Sequence, residues 1–259
     1  MTESSLPRTY AAIGDSFTEG MGDELADGTP RGWADLVAIG LAHAAGEPIG
    51  YANLAIRGRL LGPILGEQLQ PAIDLGPELL TLNGGGNDIM RPRISVAATA
   101  DRLVSAAERA SAVGIRVVLV SGANPTRHIP LGPVFQRRGD ELAVAVRDRI
   151  AASRASIGFV DNWSEPELTE LRYWSIDRLH LNSLGHARVA ANVLAALEVP
   201  VPEPGGRADG ADELPLERPR TAEYWREYVL PWIGRRLTGR SSGDGRTAKR
   251  PTLEPIAPA

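Results

Sequence analysis

The chain has 259 residues, a net charge of −4 and no cysteine. That length suits a domain of about 200 residues with an extension and is enough to bury a large core. The mild charge gives no overall pull toward nucleic acid, and the missing cysteine excludes disulfides, thiolate nucleophiles and Cys-ligated zinc.

The first eight residues are polar, with no apolar run of the kind that marks a signal peptide. No stretch approaches the ~20 apolar residues of a membrane span, so a soluble cytoplasmic protein is expected. The basic residues are 27 arginines and one lysine, Lys249, a bias that says little about mechanism.

In chain order, residues 10–13 form a short apolar run that reads as a buried strand. Gly14 ends it, Ser16 follows at once, and Gly20 and Gly22 loosen the chain beyond. A serine so placed either caps a helix or shows its hydroxyl at the carboxyl edge of a sheet. A polar loop over 21–31 leads to a helix over 33–45, where Trp33, Leu36, Val37 and Leu41 recur at helical spacing and Gly46 suits the stop. A second strand over 49–54 ends at the glycine-marked turn Arg57-Gly58.

Residues 60–75 read as a helix that Pro71 should break or kink. A third strand over 78–82 runs into Asn83-Gly84-Gly85-Gly86-Asn87-Asp88. An alanine-rich helix over 95–113 stops at Gly114, and 115–120 is a β-branched run typical of a strand buried on both faces. A proline-containing loop (121–133), a helix (135–153) and a fifth strand (157–160) follow. A loop with Trp163 and Trp174 leads to Asp177-Arg178-Leu179-His180, and a last helix runs over 183–197 with Asn182 or Ser183 as its cap. Five strands alternating with helices predict a parallel sheet covered on both faces, a three-layer α/β/α sandwich.

Composition changes after Val199. The expected organisation is a main domain over 1–199, a Pro/Gly/acidic linker over 200–219, an amphipathic helix over 220–238 and a disordered basic tail over 239–259.

The chemically active residues fall on one predicted rim. Ser16 follows the first strand, Gly58 the second and Asn87 the third, while Asp177 and His180 follow the fifth. A serine hydroxyl needs a base to become a nucleophile, and His180 titrates in the useful range. Asp177, three positions earlier, can hold the imidazole in the correct tautomer. Backbone N–H groups of Ser16 and Gly58 and the Asn87 amide are candidate oxyanion donors.

These residues match a family. Gly14-Asp15-Ser16-Phe17, Asn53-Leu54-Ala55-Ile56-Arg57-Gly58, Gly85-Gly86-Asn87-Asp88 and Asp177-Arg178-Leu179-His180 occur in the order seen in the SGNH hydrolases, also called GDSL esterases and lipases. The resemblance spans roughly residues 10–197, with Phe17 standing where the family name has leucine. It implies a flavodoxin-like SGNH hydrolase fold and cleavage of a small-molecule ester through an acyl-enzyme. Ser16 would be nucleophile, His180 base, Asp177 its orienter, and Ser16, Gly58 and Asn87 the oxyanion hole. No cofactor or metal is implied, and nothing suggests a nucleic-acid partner.

Other readings bear on single residues. Gly84-Gly85-Gly86 lacks the Lys-Ser/Thr of a phosphate loop, and no HExxH spacing exists among the four histidines. Asp15 and Asp88 are expected to tie down their own turns, Arg57 to be solvated, and His43 and His128 to be structural or exposed. His186 falls inside the last helix, which favours His180 as the base. A non-catalytic binding protein of the same fold is the alternative, as is a hydrolase docked to membrane or partner by the helix over 220–238. The particular ester and the oligomeric state are not legible.

Overall fold

In strand β1 (Thr9–Ile13), side chains alternate between two cores: Tyr10 and Ala12 pack in one, Ala11 and Ile13 in the other. This is what an apolar strand does when both its faces are covered. The same alternation holds in β4 (Arg116–Val120), where Val118 and Val120 join the first core and Val117 and Leu119 the second. The computed structural model describes residues 6–200, 221–224, 226–227, 230 and 241–258.

After β1 come α1 (Ser16–Glu19), α2 (Trp33–Ala45), β2 (Ile49–Asn53), α3 (Leu61–Pro63), α4 (Leu69–Asp74), β3 (Leu79–Leu82), α5 (Gly86–Ile89) and α6 (Val96–Ser111). Beyond β4 lie α7 (Gly132–Ala152), β5 (Ile157–Val160), α8 (Ser183–Ala196), α9 (Ala222–Tyr224) and β6 (Arg250–Ile256). The first core is closed by α2 and α8, the second by α3, α4, α6 and α7. The break expected at Pro71 appears just upstream, as a π-helical turn over Ile64–Gln68 that joins α3 to α4. There Leu69 N–H reaches back to Ile64 O, so the ladder slips before the proline that cannot donate to it.

The sheet order is β5-β4-β3-β1-β2-β6. The first five strands are parallel, as expected, and β1 sits where the chain switches direction across the sheet. In such sheets ligands bind outside the carboxyl ends at that switch point. The sixth strand corrects the sequence reading. Arg250–Ile256, expected in a disordered tail, pairs antiparallel with β2, with Ile49 opposite Ile256 and Tyr51 opposite Glu254. The sheet is therefore mixed, and a strand from beyond residue 199 completes it. The linker expected over 200–219 lies, apart from Pro200, outside the described residues, as does most of the helix expected over 220–238. Among the described residues no helix is long and apolar enough to cross a membrane.

Just before β6, the single lysine of the chain is anchored in the body. Lys249 Nζ lies 2.7 Å from Glu19 O, 2.8 Å from Pro30 O, 2.7 Å from Arg31 O and 2.6 Å from Asp35 Oδ2. Its side chain is only 13% exposed and that of Asp35 15%. Removing one partner of such a pair leaves the other charge desolvated and unmatched, which typically costs 3 kcal/mol or more. Lys249→Met is therefore expected to lower the free energy of urea unfolding by about 3 kcal/mol, whereas Arg137→Met, which breaks an exposed pair with Glu141, should cost less than about 0.5 kcal/mol.

Candidate active site

The turn after β1 is fixed from three sides. Asp15 caps α1, its Oδ1 accepting Phe17 N–H at 3.0 Å. Ser16 is thus the first residue of the helix and not its cap, which leaves its hydroxyl free of capping duty. Gln68, from the π-helical turn, grips the Gly14 peptide on both edges: Oε1 accepts from Gly14 N at 2.9 Å and Nε2 donates to Gly14 O at 3.0 Å. Asn53, buried at the end of β2, donates to Thr18 O at 2.9 Å and to Tyr51 Oη at 3.0 Å.

Asp177 and His180 form a pair, with His180 Nδ1 2.6 Å from Asp177 Oδ2. The second oxygen, Oδ1, accepts from Ser175 Oγ at 2.7 Å and from the Leu179 and His180 N–H groups at 3.0 Å each. Burial opposes ionisation of Asp177, but the His180 charge and these donors outweigh it and hold the carboxyl well below its usual range. Burial also opposes a charged His180, yet the Asp177 carboxylate prevails and raises the imidazole above its ordinary pKa of 6.5.

The loop after β3 brings Asn87 to the same rim. Its Nδ2 donates to Asp15 Oδ2 at 3.0 Å and to Arg59 O at 3.1 Å. Burial pushes Asp15 up to about 6, against the pull of the Phe17 N–H and the nearby His180. Asp88, expected to tie down its own turn, instead accepts Leu61 N–H at 2.8 Å and so ties its loop to the start of α3. Gly58 has φ +71°, a backbone state that suits glycine. Neither Ser16 N–H nor Gly58 N–H has a hydrogen-bond partner among the described residues.

Arg57 departs from expectation. It is not a solvated arginine: its N–H and Nε bond Glu19 at 2.6 and 2.8 Å, and its Nη2 pairs with Glu19 as well. Glu19 lies 38 residues away in sequence and is itself buried, so only the fold could reveal the match. Gln68, 54 residues from the Gly14 that it holds, escaped the sequence reading for the same reason, whereas Ser175 lies only two residues from Asp177 and was read as the end of a loop.

The other histidines are accounted for. His186 is fully buried, its Nδ1 accepting Trp33 N–H and its Nε2 donating to Met21 O. Burial brings it down to about 4, so it stays neutral and structural. The His128 Nε2 bonds Thr169 O at 2.9 Å and its ring tilts against Trp174, while His43 is exposed. Among the described residues no cluster of His, Asp and Glu is arranged to hold a metal ion.

Ser16, Asn87 and His180 line one cavity of about 150 Å³, with no hydrogen bond between Ser16 and His180. Away from these groups its wall becomes apolar, formed by Leu82, Leu119, Phe135, Leu142, Val146 and Phe159. The cavity thus runs from the rim inward between β4, β5 and α7.

Comparison with known proteins agrees with this fold. The fold resembles the lipase Lip_vut3 from a goat rumen metagenome, at 20% identity and a TM-score of 0.60, covering 72% of this chain and 96% of that one. It also resembles TesA (22% identity, TM-score 0.56, 73% and 98% covered). A catalytic mutant of Axe2, an acetylxylan esterase from Geobacillus stearothermophilus, is similar at 17% identity and a TM-score of 0.59, covering 74% and 94%. No curated protein matches the chain. Residues 12–188 match the model of the GDSL-like lipase/acylhydrolase family, and with that match across most of its length the chain belongs to this family of carboxylic ester hydrolases.

Proposed function

We propose that Ser16, His180 and Asp177 form a catalytic triad that cleaves carboxylic esters through an acyl-enzyme. The observation that carries this reading is the Asp177–His180 pair opening onto the cavity that Ser16 also lines. Asp177 takes the Nδ1 edge of His180, which leaves Nε2 for the proton of Ser16 Oγ. Ser16 attacks the ester carbonyl as His180 takes that proton. The imidazolium so formed sits against a carboxylate that favours it. The tetrahedral oxyanion is received by the unpartnered N–H groups of Ser16 and Gly58 and by Asn87, whose amide turns from Arg59 O toward the new charge. Collapse expels the alcohol, which takes its proton from His180. Water, activated by the same imidazole, then releases the acid.

The cavity supports an apolar acyl group. A space of about 150 Å³ with such a lining admits a group the size of benzene, or an acyl chain of about six carbons. The neighbours named as lipase and acetylxylan esterase span different substrates, so the wall of this cavity is the better guide.

In a p-nitrophenyl ester series from acetate to palmitate, kcat/KM should peak near hexanoate. Ala143→Leu, which fills the cavity from α7, should move the peak toward acetate with acetate turnover kept within about threefold. Ser16→Ala should lose several orders of magnitude in kcat while staying folded, and Asn87→Ala about 10²–10³-fold. An unchanged rate in Ser16→Ala would refute the mechanism.

The pH profile follows from His180. The base must be neutral, and its pKa lies above 6.5. Activity is therefore expected to be lost as pH falls, with the midpoint of kcat/KM above 6.5 in the parent and moved down in Asp177→Asn.

A further inference from the structure

We propose that the C-terminal segment is part of the catalytic apparatus, with Lys249, Ser241 and Tyr224 as positioning residues for the nucleophile helix, the Arg57-Gly58 turn and the Asp177–His180 turn. It rests on the roles given above to Ser16, Gly58, Asp177 and His180. All three residues lie beyond position 188, where the family match ends.

Each grip is separate. The Lys249 ammonium binds Glu19 O, the last carbonyl of α1, together with Pro30 O, Arg31 O and Asp35. The carboxylate of the same Glu19 holds Arg57 N–H and Nε. Lys249 thus fixes the residue that joins the Ser16 helix to the turn bearing Gly58.

Ser241 and Gly243 close on that turn from outside. Ser241 Oγ donates to Arg57 O at 3.3 Å. A Cβ built on Gly58 would come within 2.5 Å of Ser241 Oγ, and one on Gly243 within 2.1 Å of Arg57 O. Two backbones packed this closely leave the Gly58 peptide little room to rotate.

The third grip is on the base. Tyr224 Oη donates to Asp177 O at 3.2 Å, and the Arg178 guanidinium stands 4.7 Å from the centre of the Tyr224 ring. Arg178 has φ +58°, the left-handed state that a non-glycine residue holds only where its surroundings impose it. It lies between Asp177 and His180, so relaxation there would move both.

Closure of the sheet edge alone requires only the ladder between β2 and β6. It does not require side chains that reach each of three catalytic turns. A shift of about 1 Å at such groups can cost as much as about 10²-fold in rate.

The test uses the absence of cysteine. Lys249→Cys carries the only thiol in the chain, so alkylation in denaturant with bromoethylamine restores an ammonium of lysine length, and iodoacetamide gives a neutral control. Parent protein is put through the same unfolding and refolding. The carbamidomethyl form should show kcat on p-nitrophenyl hexanoate about tenfold or more below parent with KM within about twofold, and the aminoethyl form should return to within about threefold of parent. Tyr224→Phe and Ser241→Ala need no refolding. Each should lower kcat by about threefold or more at unchanged KM, and Tyr224→Phe should also move the pH midpoint of kcat/KM downward.

If the two alkylated forms turn over equally, or if Tyr224→Phe and Ser241→Ala match the parent in kcat and pH midpoint, the segment only stabilises the fold and the proposal fails. Labelling of Ser16 by a fluorophosphonate separates this from failure of the underlying mechanism. A parent that is labelled and active, beside variants equal to it, refutes the positioning role alone. A parent that is neither labelled nor active refutes the triad and the positioning role together.

Discussion

The register of β1 between its two parallel neighbours is the constraint on which the rest depends. Ala12 pairs with Asn53 and Ile13 with Leu82, so the three central strands end level with one another. The ladder even runs one step past the strands, through Leu54 N–H to Ala12 O at 2.9 Å and Asn83 N–H to Ile13 O at 3.0 Å. Side chains that follow strand ends in sequence therefore meet in space. A slip of one residue would turn Tyr10 and Ala12 into the opposite core, which the large ring of Tyr10, stacked on Tyr51 and bonded to Thr81, does not allow. The site inherits its precision from a register that the core enforces.

Two histidines near this rim show how environment, not residue type, assigns the chemistry. His180 and His186 are both packed in the protein. His186 hydrogen-bonds two neutral backbone groups, a carbonyl and an N–H, which fix one uncharged tautomer, and the charge of nearby Asp23 does not outweigh its burial. His180 meets a carboxylate that is itself tied by three further donors and cannot easily take the proton away. Desolvation acts on both rings in the same direction, and only the directly bonded Asp177 carboxylate outweighs it. A ring that favours its charged form and a neutral structural strut thus arise six positions apart.

The five parallel strands, the covering helices and the rim were legible because each follows from local pattern: an apolar run, a glycine, then a polar residue. The four sequence blocks added order along the chain. What stayed hidden was carried by long-range pairing. Arg57 looked solvated because Glu19 is distant in sequence. Lys249 looked like one charge of a basic tail because the oxygens that surround it come from residues 19–35. Strand β6 was illegible for a physical reason. It carries Pro251 and Pro255, shows no alternation of buried and exposed side chains, and lies among charged and small residues. Proline demotes a run to edge strand or non-strand, and here the edge is where it sits.

That placement also explains why an unpromising sequence serves well there. Without β6, β2 would be the outermost strand, with a row of unpaired backbone groups beside the turn that holds Gly58. A strand added there satisfies that row through its backbone alone, so its side chains need not be apolar. Its prolines withhold N–H donors and discourage a further strand from adding outside it. The irregular step in its pairing, between Tyr51 and Asn53, falls beside the residue that anchors Thr18. Sheet closure and contact with the turns at the strand ends are therefore met by one short segment, whose requirements are backbone geometry and a few charged or hydroxylated side chains. Those requirements leave almost no hydrophobic pattern to read.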